Sequence, residues 1–164
     1  MAALRFRKRR RLRRKEVAAL HRELEAAFGA VPFRVDAALD RAEGTDYDVL
    51  YAGSGIVALV VDGRPAPTVR GLLRTTPSRR YVTVDAGAVP YVYNGADVMA
   101  PGIVEADPEV QAGDLVWVRD EANKVPLAVG VALRSGEEMA AERQGKAVES
   151  LHHVGDRLWK LGEE

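Results

Sequence analysis

Hydrophobic residues recur at helical spacing near the N-terminus and form short strand-like runs over the rest of the chain. The N-terminal set lies three or four residues apart and comprises Val17, Leu20, Leu24, Ala27 and Phe28. This spacing predicts an amphipathic helix that packs one face on a small sheet, and Gly29 is placed to end it.

A β-hairpin is predicted in the first half of the chain. Residues 48–52 and 56–61 are apolar apart from Asp48, and they flank Gly53-Ser54-Gly55, which is typical of a hairpin turn. We expect three further elements: an edge strand at residues 31–35, where Pro32 weakens pairing, a helical turn at 39–42 and a short helix at 67–73.

A strand, a short helix and a second strand are predicted around the centre of the chain. Residues 81–84 are β-branched or aromatic, and a new apolar run begins at Ile103. Between them, residues 88–94 fit about two helical turns, in which Pro90 is tolerated only near the start. Asn94 and Gly95 tolerate positive φ and stop the helix.

The remaining residues predict three longer strands and one capped helical turn. The strands cover residues 115–118, 125–133 and 146–151, and the helical turn begins at Ser135. We expect Trp117 to be a core residue. The best boundary between two domains is the linker at residues 75–78.

Composition restricts the function classes. The 164 residues contain no cysteine, which excludes disulfide frameworks and cysteine-based zinc sites. No apolar run approaches the ~20 residues that a membrane span needs. The N-terminus lacks the apolar core of a signal peptide, so we expect a cytoplasmic protein with no membrane contact. Residues 1–75 carry 15 basic and 9 acidic side chains, a net +6, and residues 76–164 carry a net −6.

The densest charge lies near the N-terminus. Nine of eleven consecutive residues are basic: Arg5, Arg7, Lys8, Arg9, Arg10, Arg11, Arg13, Arg14 and Lys15. Such a run repels itself, and an RNA backbone explains it better than packing does, because basic side chains release the counterions of phosphates. The alternatives are a solvated tail and a nuclear-localisation signal.

No residue set indicates catalysis or a cofactor. His152 and His153 are adjacent and lack nearby ligands, and Gly145-Lys146-Ala147 lacks the residues of a phosphate loop. Asp85 follows a strand, where a turn-capping carboxylate is the commoner role. We therefore expect a binding protein with no small-molecule substrate.

Several segments resemble the PUA domain, an RNA-binding β pseudo-barrel. They are residues 87–102, 113–118, 126–132 and 145–148, together with the ending at 152–159. With the basic N-terminal lobe, they resemble the malignant T-cell amplified sequence family of translation factors in its stand-alone archaeal-type form. The resemblance implies an α+β fold: a pre-PUA-like α+β domain at residues 1–76 and a PUA domain at 77–164. It also implies that Trp159 closes the barrel end.

The resemblance implies a non-enzymatic role in translation, with contacts to the small ribosomal subunit and to the tRNA acceptor end. The implied recognition surface contains Gly87, Ala88, Tyr91, Asn94, Gly95 and Lys146. Tyr91 and Tyr93 are candidates for base stacking, and we expect one of them to be core. Two alternatives stay open: a protein-interaction module that pairs with an initiation-factor-like partner, and an RNA-modifying enzyme or accessory subunit.

Overall fold

The computed structural model describes residues 4–162, which form two compact units. The first unit contains residues 4–77 and 157–162, and the second contains residues 78–156. The division into domains at residues 76 and 77 stays a prediction. Within residues 4–162, no helix is both long enough and apolar enough to cross a membrane.

The first unit is a five-stranded antiparallel sheet with helices. Its elements are β1 (Arg7–Arg11), α1 (Arg14–Phe28), β2 (Leu39–Glu43), β3 (Asp48–Ala52), β4 (Gly55–Val61), β5 (Arg64–Pro67) and α2 (Val69–Leu73). The strands pair in sequence order, from β1 at one edge to β5 at the other. Helix α1 ends as predicted at Gly29, which adopts φ 75° and donates its N–H to the Glu25 carbonyl. Val17, Leu24 and Phe28 are its buried residues.

Two predictions in this unit are wrong. Residues 39–42 form strand β2 rather than a helical turn, because Leu39 and Ala42 are buried three residues apart and imitate helical spacing. Residues 31–35 form no strand, although Pro32 and Phe33 are buried. Residues 7–11, for which the sequence leaves a solvated tail as an alternative, form the exposed strand β1, which pairs with β2.

The second unit is a mixed, nearly closed β pseudo-barrel, which confirms the predicted α+β class. Its elements are β6 (Tyr81–Val84), α3 (Val89–Tyr93), β7 (Val98–Met99), a 3-10 turn (Ala100–Gly102), β8 (Ile103–Ala106), β9 (Leu115–Asp120), β10 (Pro126–Ala132), α4 (Gly136–Ala141) and β11 (Lys146–His153). The strand order is β7-β11-β10-β9-β6-β8, and β6 pairs with β9 in parallel. Ser135 caps α4 as predicted by accepting the Glu138 N–H.

The barrel core consists of aliphatic side chains from every strand and from α3 and α4. It contains Val82, Val84, Val92, Val98, Ile103, Val110, Val116, Val118, Leu127, Ala128, Ala132, Met139, Ala147 and Val148. Trp117 is buried, as expected, and its indole N–H donates to the Arg79 carbonyl at 2.9 Å.

The C-terminal helix α5 (Arg157–Leu161) belongs to the first unit. The Arg70 guanidinium lies 3.8 Å from the centre of the Trp159 ring, and the Arg70 Nε donates to the Trp159 carbonyl at 3.1 Å. These contacts lie within the first unit, and the closure of the barrel end by Trp159, which the resemblance implies, stays a prediction. The patterns that predict strands and helices carry no signal for the stacking of an arginine on a tryptophan that is distant in sequence.

Gly136→Ala is expected to destabilise the barrel by about 1–3 kcal/mol, because overpacking forces the backbone to shift. A Cβ at this position would overlap the carbonyl oxygen of Asp107, and Gly136 also donates its N–H to Val110. Urea unfolding measures the change. Glu137→Gln, an exposed substitution one residue later, serves as the control, and equal stability of the two variants would contradict the close packing.

Candidate nucleic-acid interface

A pocket of about 400 Å³ opens beside helix α3. Its wall is mostly apolar and is formed by Asp85, Gly87, Ala88, Tyr91, Val92, Asp97, Val98, Met99, Pro101 and Gly102. These residues come from the turn after β6, from α3 and from the segment between α3 and β8. The pocket therefore lies within the central stretch for which the sequence predicts a recognition surface.

Asp85 fixes the turn that leads into α3. Its carboxylate Oδ1 accepts the Ala88 N–H at 2.9 Å, and its own N–H donates to the Gly102 carbonyl at 2.9 Å. The predicted turn-capping role of Asp85 is confirmed. These bonds hold the two sides of the pocket, residues 85–88 and Gly102, at a fixed separation.

Helix α3 turns one aromatic side chain toward the pocket. Tyr91 lines the pocket and is 68% exposed, while Tyr93 is 41% exposed and does not line it. The prediction that one tyrosine is core is wrong, because Val92 takes the buried position of the helix. Tyr91 thus presents a ring on which a nucleobase can stack.

The predicted residues at the helix end lie outside the pocket wall. Asn94 is the exposed C-cap, and Gly95 follows it with φ 85°, as its predicted helix-stop role requires. A Cβ on Gly95 would lie 2.8 Å from the His153 Nε2, so glycine is needed here for conformation and packing. Of the central residues predicted, Gly87, Ala88 and Tyr91 line the pocket.

Lys146 lies at the rim of the pocket. It pairs with Met99 across β11 and β7, and its Nζ is 3.2 Å from Oδ2 of the pocket residue Asp97. Asp97 Oδ1 accepts the Ser150 N–H at 2.9 Å. The pKa of Asp97 is lowered, first by this backbone hydrogen bond and then by Lys146, while partial burial opposes the shift. The Asp97 carboxylate therefore positions Lys146 beside the opening.

Arg143 is a second rim cation, which no sequence pattern indicates. Its Nη1 donates to the Ile103 carbonyl at 3.0 Å, and its Nη2 donates to the carbonyl of the pocket residue Pro101 at 3.3 Å. The residue is exposed. Arginine has five N–H donors in a planar fork, so within residues 4–162 three donors of Arg143 make no hydrogen bond and can meet a phosphate. Both hydrogen bonds join residues that are 40 or more positions apart, so local patterns do not predict them.

Several of the N-terminal basic side chains that are predicted to bind RNA form ion pairs with carboxylates of the first unit. Asp40 accepts hydrogen bonds from Arg9 at 2.8 Å and from Arg11 at 2.6 Å. Arg10 pairs with Glu16 at 3.1 Å. The hydrogen bond from Arg10 is the largest cause of the lowered pKa of Glu16, which is about 2. Part of the basic run therefore stabilises strand β1 through these ion pairs.

Arg5, Arg7 and Lys8 line a cleft of about 460 Å³ together with Glu43, Gly44 and Thr45. The β1–β2 pairing shifts register between Arg7 and Arg10, and Lys8 adopts φ 56° within this irregular segment. Lys8 pairs with Glu43 at 3.6 Å, and because both side chains are well exposed, this ion pair is a weak interaction. The cleft thus presents cations that the sheet does not need.

Arg13, Arg14 and Lys15 are exposed at the start of α1. A helix N-terminus is stabilised by negative charge, so three cations there disfavour the helix. Glu16 offsets this by accepting the Arg13 backbone N–H at 3.0 Å. Stabilisation of the helix therefore does not explain the placement of these three cations.

Within residues 4–162 no group of three or more metal-ligating side chains is arranged to hold an ion. The second unit therefore carries an apolar pocket with an exposed aromatic ring and cations on its rim, and the first unit carries a basic cleft. These are the features of a module that binds single-stranded nucleic acid by stacking and phosphate contacts.

Comparisons with known proteins agree with that class. The family model of the PUA domain matches residues 80–154. A conserved PUA-domain protein of Thermoplasma acidophilum, known from a solved structure, is 30% identical, with 94% of this chain and 99% of that chain covered and a TM-score of 0.78. An uncharacterized protein of Methanocaldococcus jannaschii is 39% identical, with coverage of 95% and 98%. The chain belongs to the PUA-domain protein family.

Eukaryotic relatives connect the chain to translation. Translation machinery-associated protein 20 of Schizosaccharomyces pombe is 31% identical over 68% of this chain and 65% of its own length. A Drosophila melanogaster homolog of malignant T-cell-amplified sequence 1 is 36% identical over 60% of this chain and 56% of its own length. The predicted resemblance is confirmed, and the comparisons support a translation-related RNA-binding role.

Proposed function

We propose that the protein is a non-enzymatic RNA-binding factor that acts in translation, in the cytoplasm, on an unpaired end of a structured RNA. The favoured RNA is the tRNA acceptor end, with the small ribosomal subunit as the surface for the N-terminal cations. The pocket beside α3, with the exposed Tyr91 ring on its wall, is the observation that supports this proposal most directly.

The pocket has the size and the lining needed to bind an unstacked base. Its apolar wall and the Tyr91 ring offer a stacking surface, and its volume exceeds that of a single nucleobase. Lys146 contacts the pocket residue Asp97 and Arg143 contacts the pocket residue Pro101, which supports a role of both cations in binding the phosphates next to an inserted nucleotide. Stacking and shape also account for RNA binding by a lobe whose net charge is negative.

The basic cleft supplies affinity without sequence preference. Arg5, Arg7 and Lys8 are positioned for phosphate oxygens, and such contacts orient an RNA without reading its bases. The two surfaces then have different roles, since the pocket recognises a nucleotide and the cleft holds a backbone.

Tyr91→Ala is expected to weaken binding of a hairpin RNA with an unpaired 3′ extension by about tenfold or more, because base–aromatic stacking contributes about 1–3 kcal/mol per base. Tyr91→Phe keeps the ring and is expected to bind within about twofold of the parent. Fluorescence anisotropy with labelled RNA measures both affinities.

Tyr93→Ala is the matched control, since Tyr93 is exposed on the same helix but outside the pocket wall. Equal affinity of the parent, Tyr91→Ala and Tyr93→Ala would remove the pocket from the binding site. An equal reduction in both alanine variants would indicate a general effect on helix α3 instead of a stacking contact.

A further inference from the structure

The pocket wall contains two carboxylates, which differ in their available oxygens. Both oxygens of Asp97 are occupied, by the Ser150 N–H and by Lys146. Asp85 uses Oδ1 for the Ala88 N–H, and within residues 4–162 its Oδ2 receives no hydrogen bond. One negatively charged acceptor of the wall is therefore unused by the fold.

Asp85 is held in place from both sides. Its N–H donates to the Gly102 carbonyl at 2.9 Å, and its carbonyl and Oδ1 both accept the Ala88 N–H, at 3.1 and 2.9 Å. A side chain fixed in this way loses little freedom when it binds a ligand. The Oδ2 atom is thus a preorganised acceptor on a residue of the mostly apolar pocket wall.

An ionised carboxylate only accepts hydrogen bonds, so it discriminates among nucleotide groups. It repels phosphates, which directs a base or a sugar into the pocket and leaves the phosphates at Lys146 and Arg143. Adenine, cytosine and guanine each carry an exocyclic amino group that can donate to Oδ2. Uracil has no amino group, and its single ring donor, N3–H, lies between two carbonyl oxygens, which a carboxylate repels.

We propose that Asp85 makes the pocket selective for an unpaired base with an exocyclic amino group, and that the amino group donates to Asp85 Oδ2. This inference rests on the proposed function, because it concerns which nucleotide the same pocket accepts. It assigns to Asp85 a specificity-determining role in addition to its cap of the turn.

The test uses hairpin RNAs that differ only in the unpaired terminal nucleotide. One pair compares adenosine with purine riboside, which lacks only the amino group, and a second pair compares cytidine with uridine. The unaltered protein is expected to bind the amino-bearing member of each pair about tenfold more tightly, the range of a hydrogen bond to a charged group. Equal affinities within the adenosine pair would overturn the inference.

Asp85→Asn is the informative variant. The asparagine Oδ1 can still accept the Ala88 N–H, while an amide donor replaces the Oδ2 acceptor. The preference for amino-bearing bases is expected to disappear or to invert toward uridine. An unchanged preference would overturn the role of Asp85. The purine riboside comparison on the unaltered protein decides the base preference even if this variant folds poorly.

Additional RNAs distinguish a base amino group from a ribose hydroxyl as the donor to Asp85. Hairpins ending in 2′-deoxyadenosine and in 3′-deoxyadenosine test whether a ribose hydroxyl is the donor, and a tenfold weaker binding of either would contradict the base-amine assignment. If purine riboside binds as well as adenosine while Tyr91→Ala still weakens both, only the selectivity is wrong. If Tyr91→Ala affects no RNA, the proposed function itself fails, and the inference fails with it.

Discussion

Ala88→Glu is expected to reduce RNA affinity by about a hundredfold while the melting temperature stays within a few degrees of the parent. Ala88 lies in the pocket wall, directly before helix α3. A glutamate there fills space that a base would occupy, so it removes the stacking contribution of about 1–3 kcal/mol. Its charge also repels the neighbouring phosphates.

The fold should tolerate this change. Ala88 has ordinary right-handed backbone angles, φ −83° and ψ −25°, and it is only half-buried. A carboxylate at the N-terminal end of a helix, where Ala88 is the N-cap, is favoured by the helix dipole. Thermal unfolding followed by circular dichroism gives the melting temperature, and anisotropy gives the affinity.

Ala86→Glu provides the matched control. Ala86 is exposed and does not line the pocket, so the same charge is added two residues away without entering the wall. Ala86→Glu is expected to weaken binding only slightly. If Ala88→Glu binds RNA normally while folded, the pocket is not the site, and the protein-interaction hypothesis gains support.

Neutralising the basic cleft is expected to produce the second large effect. Substitution of Arg5, Arg7 and Lys8 by glutamine should weaken binding of all RNA sequences about equally. The slope of log affinity against log salt should become shallower by roughly 0.7–0.9 for each phosphate that the protein no longer neutralises. Affinities measured at several salt concentrations test both statements.

Substitution is a cleaner test than removal of residues 1–15. Truncation would delete strand β1 and the buried Leu12, whose N–H donates to the Leu39 carbonyl, and folding would change together with binding. Glutamine at Arg22, Arg34 and Arg74 is the control, because these exposed arginines of the same unit lie outside the cleft. Equal salt slopes for the two triple variants would contradict a specific role of the cleft.

Local patterns predict most elements of the fold. The hairpin of β3 and β4 follows from two apolar runs around glycine turns, and α3 follows from Pro90 near its start and Asn94-Gly95 at its end. Strand β5 has no such pattern, because Pro65 and Pro67 argue against a strand. Both prolines lie in the edge strand β5. An edge strand pairs on one side only, so it tolerates residues without an N–H donor.

The site could be predicted only in part. Gly87, Ala88 and Tyr91 are close in sequence, so a motif locates them. The cations on the rim depend on distant contacts: Lys146 is placed by Asp97, which directly precedes β7, and Arg143 by the carbonyls of Pro101 and Ile103.

The basic run shows the same limit of local patterns. It is conspicuous in the sequence, but only the structure separates Arg9 and Arg11, which Asp40 holds, from the cleft residues Arg5 and Arg7. Charge density alone does not distinguish a cation that stabilises its own sheet from one that is available to a phosphate.

A backbone amide NMR titration of the full chain tests the role of the pocket most directly. The ligand is a short RNA hairpin that carries an unpaired 3′ extension. We expect the largest chemical-shift changes at residues 85–91 and 99–102 and at Lys146, with smaller changes at residues 5–8. Saturation should follow a single binding curve at the pocket residues. Changes confined to residues 5–15, with the pocket resonances unmoved at saturation, would contradict the claim that the pocket beside α3 receives the RNA.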